Sequence, residues 1–478
     1  MDWFTADGYW LSRLVFQRSL AVVYLVAFLS AALQFRALIG ARGMLPVPEL
    51  LSRTPWRSAP GLFRLHYSDR FFALVAWTGA AVSAALAAGV DGYLPLWGAM
   101  ALWAVPWVLY LSIVQVGQVW YGFGWESLLL ETGFLAVFLG NGETAAPVLV
   151  LWLLRWLLFR LEFGAGLIKI RGDACWRRLT CLDFHHETQP MPGPLSWFFH
   201  RLPKPAHRVE VAANHVTQLA VPFLLFTPQP VASAAAGLMA ITQLWLVLSG
   251  NFAWLNWLTV VIALSVIDWS PLAGPAPTAA APPIWYEVVV VAVTALVLLL
   301  SYRPARNLLS RRQVMNRSFD PLHLVNTYGA FGSVSRVRLE VVVEGTDEPV
   351  VHAGTRWREY GFRGKPGDPR RLPRQFAPYH LRLDWMMWFA ALSPAYAHSW
   401  FGPFVERLLL GDRDTLRLLR HNPFPDAPPI HVRARVFHYT FTDLRELRAT
   451  GRWWNRTYVR DFMRPASLPA SLRRPGPP

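Results

Sequence analysis

The chain has 478 residues, with 46 Lys+Arg against 30 Asp+Glu and a formal charge of +16. Hydrophobic residues make up 54% and charged residues only 16%, against ~25% charged in a typical soluble domain, and mean hydropathy is +0.27. These values exclude a disordered chain, argue against an ordinary cytosolic enzyme, and fit a multi-pass membrane protein with a basic water-facing part.

Apolar segments fill the first part of the chain. A bilayer core takes ~20 apolar residues per helix. Spans are predicted near 17–38, 70–90, 95–116, 126–141, 147–168, 209–228, 231–250, 252–268 and 283–302. The fold class read from this is an α-helical multi-pass membrane bundle of about nine transmembrane helices, followed by a β-rich C-terminal domain. The run from Leu20 to Leu33 extends both ways without a small-residue cleavage end, so it reads as a retained span. The connections 91–94, 117–125, 142–146, 229–230 and 269–282 are short and lack Lys and Arg. The segments 39–69, 169–208 and everything after Tyr302 are basic, and with nine spans they share one side. The positive-inside rule assigns that side to the cytoplasm. The positive charge comes with no nucleic-acid motif, so membrane lipid is the expected partner and nucleic acid is not.

The fifth span carries the densest polar signal. Arg155, Glu162 and Lys169 are spaced by seven, which puts them on one helical stripe drifting ~20° per heptad. A charge at mid-membrane costs at least ~2.5–3.5 kcal/mol, so it needs a partner or a polar interior. Glu131 in the preceding span is a natural partner for Arg155 or Arg160. Two uses are open: an ion-pair network that orders the bundle, or a polar cavity with Lys169 at its mouth as base or anion anchor. Lys169, Lys204 and Lys365 are the only lysines in an arginine-rich chain, and arginine cannot replace lysine as a base. Gly164 and Gly166 permit close helix approach. Asn214, His215, Gln218, Gln243, Asn251 and Asn256 suit interhelical hydrogen bonds, with Asn214 and Gln218 on one face at i,i+4.

The loop that follows reads CWRRLTCLDFHHETQPMPGP. Cys175, Cys181, His185 and His186 are ligand types, but their spacing matches no zinc pattern, so neither metal nor cofactor is expected. Cys175 and Cys181 form a local bridge if the loop faces an oxidising compartment, or stay as two partly buried thiols. Beyond Arg303 a basic patch leads into alternating runs, Ser335–Val343 and His431–Thr440, that predict strands. The aromatic segment Tyr379–Leu392 is ~14 residues, too short to span. It either lies along the membrane surface or packs on the strands. The domain expectation is 1–302 as the transmembrane part, with loop 169–208 packed at the membrane face. Residues 303–465 follow as a β-rich extramembrane part, and 466–478 as a disordered tail.

Several long stretches resemble the lipase maturation factor family across most of the chain. They are WESLLLETGFLAVFL (125–139), LIKIRGDACWRRLTCLDFHHETQPMPGPLSWFFHRLP (167–203), SGNFAWLNWLT (249–259), NTYGAFGSVSRVR (326–338), APYHLRLDWMMWFAAL (377–392) and WWNRTYVRDFM (453–463). The resemblance implies a multi-pass protein of the endoplasmic reticulum membrane in eukaryotes, a chaperone-like and non-enzymatic factor that helps dimeric secreted lipases reach their active state. The arginine- and alanine-rich composition suggests a bacterium, where the plasma membrane is the equivalent site. The resemblance also implies that the large loops and C-terminal part are lumenal or extracytoplasmic, against the charge count. On this reading Asp173, Cys175, Trp176, Cys181, Asp183, His185 and His186 form a client-facing loop, and Tyr379, Trp385, Trp388 and Phe389 an aromatic client-holding surface. The segment AGLIKIRGDACW (165–176) is also similar to the one holding the base lysine of vitamin K-dependent carboxylases, with Lys169 the approximate match. That implies an alternative: a membrane enzyme acting on a lipophilic substrate, with Lys169 as base and Arg155 and Glu162 setting its pKa.

Overall fold

The computed structural model describes residues 3–56, 59–273 and 278–469. The nine longest helices among the described residues of the N-terminal part are α1 (Trp10–Leu38), α2 (Asp69–Ala87), α3 (Leu96–Val116), α4 (Gly124–Val137), α5 (Val148–Arg171), α6 (Lys204–Leu219), α7 (Val231–Ser249), α8 (Leu255–Leu264) and α9 (Ile284–Leu300). Local chemistry sets several of their starts. The Ser68 hydroxyl accepts from the Phe71 N–H at the head of α2 (3.1 Å), the usual way to satisfy an orphan donor. Prolines 95, 147 and 283 stand at the N-caps of α3, α5 and α9, where a missing N–H costs nothing.

Hydrogen bonds sort the helix ends onto two faces. On one face Thr5–Ala6 pairs antiparallel with Ala146–Pro147, Thr144 bridges Ala280, Asn141 donates to the Leu94 carbonyl (2.7 Å) and Gln229 to the Tyr9 hydroxyl (2.6 Å). On the other face Gln118 donates to the Leu45 carbonyl (2.8 Å) and Pro192 bridges Gly250. Consecutive helices therefore run alternately between the faces.

Six segments among the described residues are long and apolar enough to cross a membrane: Asp7–Leu38, Asp69–Ala87, Leu96–Val116, Lys204–Phe226, Val231–Ser249 and Ile284–Leu309. The expected spans at 126–141, 147–168 and 252–268 are helices that do not meet that standard. Every residue of α4 is buried and it has 14 residues; α8 has 10; α5 is long but carries Arg155, Arg160, Glu162, Lys169 and Arg171. Hydropathy along a sequence does not separate a helix wrapped in protein from one wrapped in lipid, and these three are the wrapped ones. The expected span 209–228 is α6 followed by a 3-10 turn, Val221–Phe226.

The C-terminal part centres on a four-stranded antiparallel sheet of β1 (Arg338–Thr346), β2 (Arg358–Glu359), β3 (His431–Phe441) and β4 (Trp454–Ala466), in the order β2-β1-β3-β4. The expected runs 335–343 and 431–440 are β1 and β3, paired from Arg338 with Tyr439 to Thr346 with His431. The tail expectation needs correction at its start: Ala466 pairs with Val432 inside β4. Residues 470–478 of that tail lie outside the described residues.

Helix α10 (Arg382–Leu392) joins sheet and bundle. Of the two placements open to this aromatic segment, packing on the strands is the one found, against β1, and both Arg382 and Asp384 are buried. Arg382 donates to Glu126 of α4 at 2.6 Å and to the Trp120 carbonyl at 2.6 Å, and its guanidinium lies 3.5 Å from the Tyr121 ring centre. Tyr110 donates its hydroxyl to Glu126 as well. Asn251 adds a second pin: its amide oxygen accepts from the Phe376 and Ala377 N–H groups at 2.8 and 2.9 Å. Neither side chain of the Arg382–Glu126 pair is exposed to solvent, and these bonds lock the C-terminal part to the helices.

Candidate functional site

Two buried charge clusters sit along α5, and of the expected stripe only Glu162 and Lys169 fall in one of them. Arg155 belongs to neither. It donates to the Leu225 carbonyl (3.1 Å) and the Tyr9 hydroxyl (2.8 Å) and lies against the Trp152 ring. Arg160 takes Glu131, one of the two pairings open from sequence. Glu131 also accepts from the Asn326 N–H (3.0 Å), the Asn326 side chain (2.9 Å) and the Tyr328 hydroxyl (2.6 Å), while Arg160 donates to the Asn326 carbonyl (2.7 Å). The NTYG stretch is thus strapped onto α5. Gly164 makes room for it: a Cβ there would sit 2.6 Å from the Tyr328 carbonyl oxygen.

The second cluster lies two turns further on. Lys169 donates to Asn214 (2.9 Å) and Gln218 (2.8 Å) of α6, and its ammonium is 5.0 Å from the Trp176 ring centre. Gln218 in turn donates to Glu162 (3.0 Å), and Gln243 of α7 donates to the other Glu162 oxygen (2.7 Å). Lysine and glutamate therefore share one amide and form no direct ion pair. Gly166 lets α6 come this close, since a Cβ there would meet Leu219 at 2.8 Å and Gln218 at 3.0 Å. The i,i+4 amides read from sequence are the ones used.

In loop 169–208 the two cysteines, Trp176 and both histidines turn inward, while Arg177, Arg178, Leu195 and Phe198 are exposed. Cys175 and Cys181 are joined in a disulfide, so neither thiolate is available to a metal. Asp173 accepts from the Cys175 N–H (3.0 Å) and pairs with Arg336 (2.8 Å); these hold its carboxyl below the ordinary aspartate range. Trp176 donates to the Phe331 carbonyl (2.8 Å). Asp183 and His207 pair at 3.3 Å. Cys175, Trp176, Cys181, His185 and His186 are all buried. Burial, aided by the Lys169 charge, pushes His185 down to about 4, and burial pushes His186 down as well. Sequence reasoning missed Arg338, which donates to the carbonyls of Glu187 (2.9 Å) and Gln189 (2.5 Å) and to Glu340 (2.6 Å). Glu340 also holds Lys365 at 2.9 Å. An arginine on the inward face of a strand was the available signal.

The aromatic client surface also needs correction. Trp385 is 3% exposed and packs 4.9 Å from Trp125. Trp388 donates to the Thr188 carbonyl (3.2 Å), and Tyr379 accepts from Gln34 (3.3 Å). The ring spacing of this helix serves the seam with the bundle. Trp385, Trp388 and Phe389 wall one side of a cavity of about 390 Å³ that reaches Lys169, Glu162 and Asn256. A second cavity, about 630 Å³, lies between α6 and α7 and meets the first at Lys169, Leu246, Phe252, Asn256 and Phe331.

The family model "Lipase maturation factor transmembrane domain" matches residues 11–273, and "Lipase maturation factor C-terminal domain" matches 324–464. The chain is 41% identical to Lipase maturation factor 1 of Bos taurus over 97% of its own length and 90% of the relative's. It is 41% identical to Lipase maturation factor 1 of Homo sapiens, covering 96% and 88%. It is 29% identical to Lipase maturation factor 2 of Gallus gallus, covering 95% and 81%. No solved structure matches. The carboxylase-like alternative gains no support from these matches. Helices fit for a membrane, a strand-built C-terminal part and both family matches agree: the chain is an integral multi-pass membrane protein and belongs to the lipase maturation factor family.

Proposed function

We propose that this protein assists the folding or assembly of secreted lipases or other exported proteins, acting without catalysis of its own. The observation that carries the reading is the match to Lipase maturation factor 1 across 97% of the chain, which takes in bundle and sheet together. All nine helices cross the bilayer in this reading, the short α4 and α8 inside a jacket of the others. Residues 1–302 and 303–465 act as two domains. The face carrying loop 169–208 and the sheet is lumenal in an endoplasmic reticulum membrane, or extracytoplasmic in a bacterial plasma membrane. The disulfide in that loop supports this side, because such bonds persist in oxidising compartments. Its arginines do not contradict it, since long folded segments translocate regardless of charge.

Client contact falls to β4 in place of the buried aromatic helix. β4 is a sheet edge, and Tyr458 and Val459 on it are 49% and 47% exposed. An edge strand offers unpaired backbone groups to a partner. The test is rescue in cells that lack their own lipase maturation factor. The full chain is expected to raise the specific activity of a secreted dimeric lipase, measured as activity per unit of secreted lipase protein. Normal membrane expression with no gain in specific activity would refute the reading for that client.

A further inference from the structure

The 630 Å³ cavity between α6 and α7 has a size suited to a small organic ligand. Its lining is overwhelmingly apolar and its outer rim includes Val209 and Ile241, 69% and 67% exposed on helices fit to face lipid. Its inner end is polar. There the Lys169 ammonium has two acceptors, Asn214 and Gln218, for its three N–H bonds. Beside it on the same lining, the Asn256 amide nitrogen is buried and hydrogen-bonded to nothing, and so are both ring nitrogens of His186. A buried donor without an acceptor costs stability and calls for a partner. The one carboxylate among the lining residues, Glu210, accepts from the Trp245 indole N–H at 2.7 Å through one oxygen, and its other oxygen is buried without a partner.

We infer that this cavity binds a single-chain carboxylate amphiphile from the membrane, a long-chain fatty acid. Its carboxylate accepts from Lys169 and Asn256, and its acyl chain lies between α6 and α7 against Leu182, Val211 and Ile241. A carboxylate presents two oxygens and so satisfies the ammonium and the amide together, and the chain enters sideways from the bilayer without passing through water. Binding is non-covalent. This site is separate from the client-binding edge and stands or falls independently of lipase rescue.

The test uses the full-length protein in lipid nanodiscs and a long-chain fatty acid carrying a diazirine and an alkyne. The expected result is labelling of peptides from α6 and α7 that excess unlabelled oleate competes away. Asn256→Leu is expected to cut labelling about tenfold, the effect of losing a hydrogen bond to a charged group, and Lys169→Met by at least as much. Ala206→Phe fills the apolar rim without touching the polar end, and it is expected to cut labelling while the melting temperature holds. The methyl ester of the same probe is expected to label weakly. Equal labelling by acid and ester would overturn the assignment of the head. Labelling spread evenly over all lipid-facing helices, or unchanged in a well-folded Ala206→Phe protein, would overturn the site.

Discussion

Arg160–Glu131 and Lys169–Glu162 are both anchored on α5, on opposite sides of it, yet they are built to different plans. The first is closed: the two charges touch, and a strand-like strap adds three further donors to Glu131. The second is open: an amide stands between the charges, and Lys169 borders two cavities. The comparison separates charge spent on holding parts together from charge left available for a ligand. Proximity in sequence said nothing about which was which; the partners of each group do.

Breaking the closed cluster should have the largest effect. Arg160→Leu leaves Glu131 buried without its cation, which costs roughly 3–5 kcal/mol for a buried pair, and should give the largest fall in melting temperature of the set while the transition stays cooperative. Both Arg160 and Glu131 are almost fully inaccessible, so solvent offers no compensation.

Acid should weaken the open end next. His185, on the cavity wall, is held down to about 4 from an ordinary 6.5, burial being the main cause. The unfolded chain therefore binds this proton first as pH falls. Stability is full above about 6.5 and declines as pH drops toward 4, by roughly 3 kcal/mol for a shift of this size. His185→Phe should flatten the pH dependence of the melting temperature across that interval.

Removing the disulfide is a smaller change. Cys175 and Cys181 are six apart, and closing so short a loop stabilises by about 2 kcal/mol in the chain-entropy account. Cys175→Ser with Cys181→Ser should lower the melting temperature modestly, and reductant should no longer lower it further. The smallest stability effect belongs to the sheet edge. Val459→Lys on β4 should change stability by less than about 0.5 kcal/mol, as surface substitutions do, yet reduce client maturation by charging the edge. A loss of stability there would show that β4 is core, not contact surface.

Much of this was legible in the sequence because it was periodic. Each of the nine apolar segments holds a helix, though only six of the described helices are long and apolar enough to cross a membrane; the alternation at 335–343 and 431–440 gives the two central strands, and Asn214, Gln218 and Gln243 make interhelical bonds. Family resemblance supplied the rest of the identity. Long-range pairing was not legible. Nothing local to Arg382 says that it meets Glu126, 256 residues away, or that Trp385 turns inward with it. The same aromatic helix reads as client surface or as seam until its partner is known. Residues 124–137 look like a membrane span because a helix buried in protein and one buried in lipid are equally apolar. The exposed edge of β4 carried no strong alternation, since most of its residues face water.

The distinction between the two clusters rests on coupling, and a pair of double-mutant cycles measures it. Thermal unfolding of Arg160→Leu, Glu131→Leu and their combination is expected to give an interaction energy of roughly 3 kcal/mol, the upper range for coupled neighbours. The matching cycle of Lys169→Met and Glu162→Gln, with Gln218 kept, is expected to give less than about 1 kcal/mol. Equal coupling in the two cycles would mean that Lys169 is one more structural ion pair, and the account of an available cation at the cavity would be wrong.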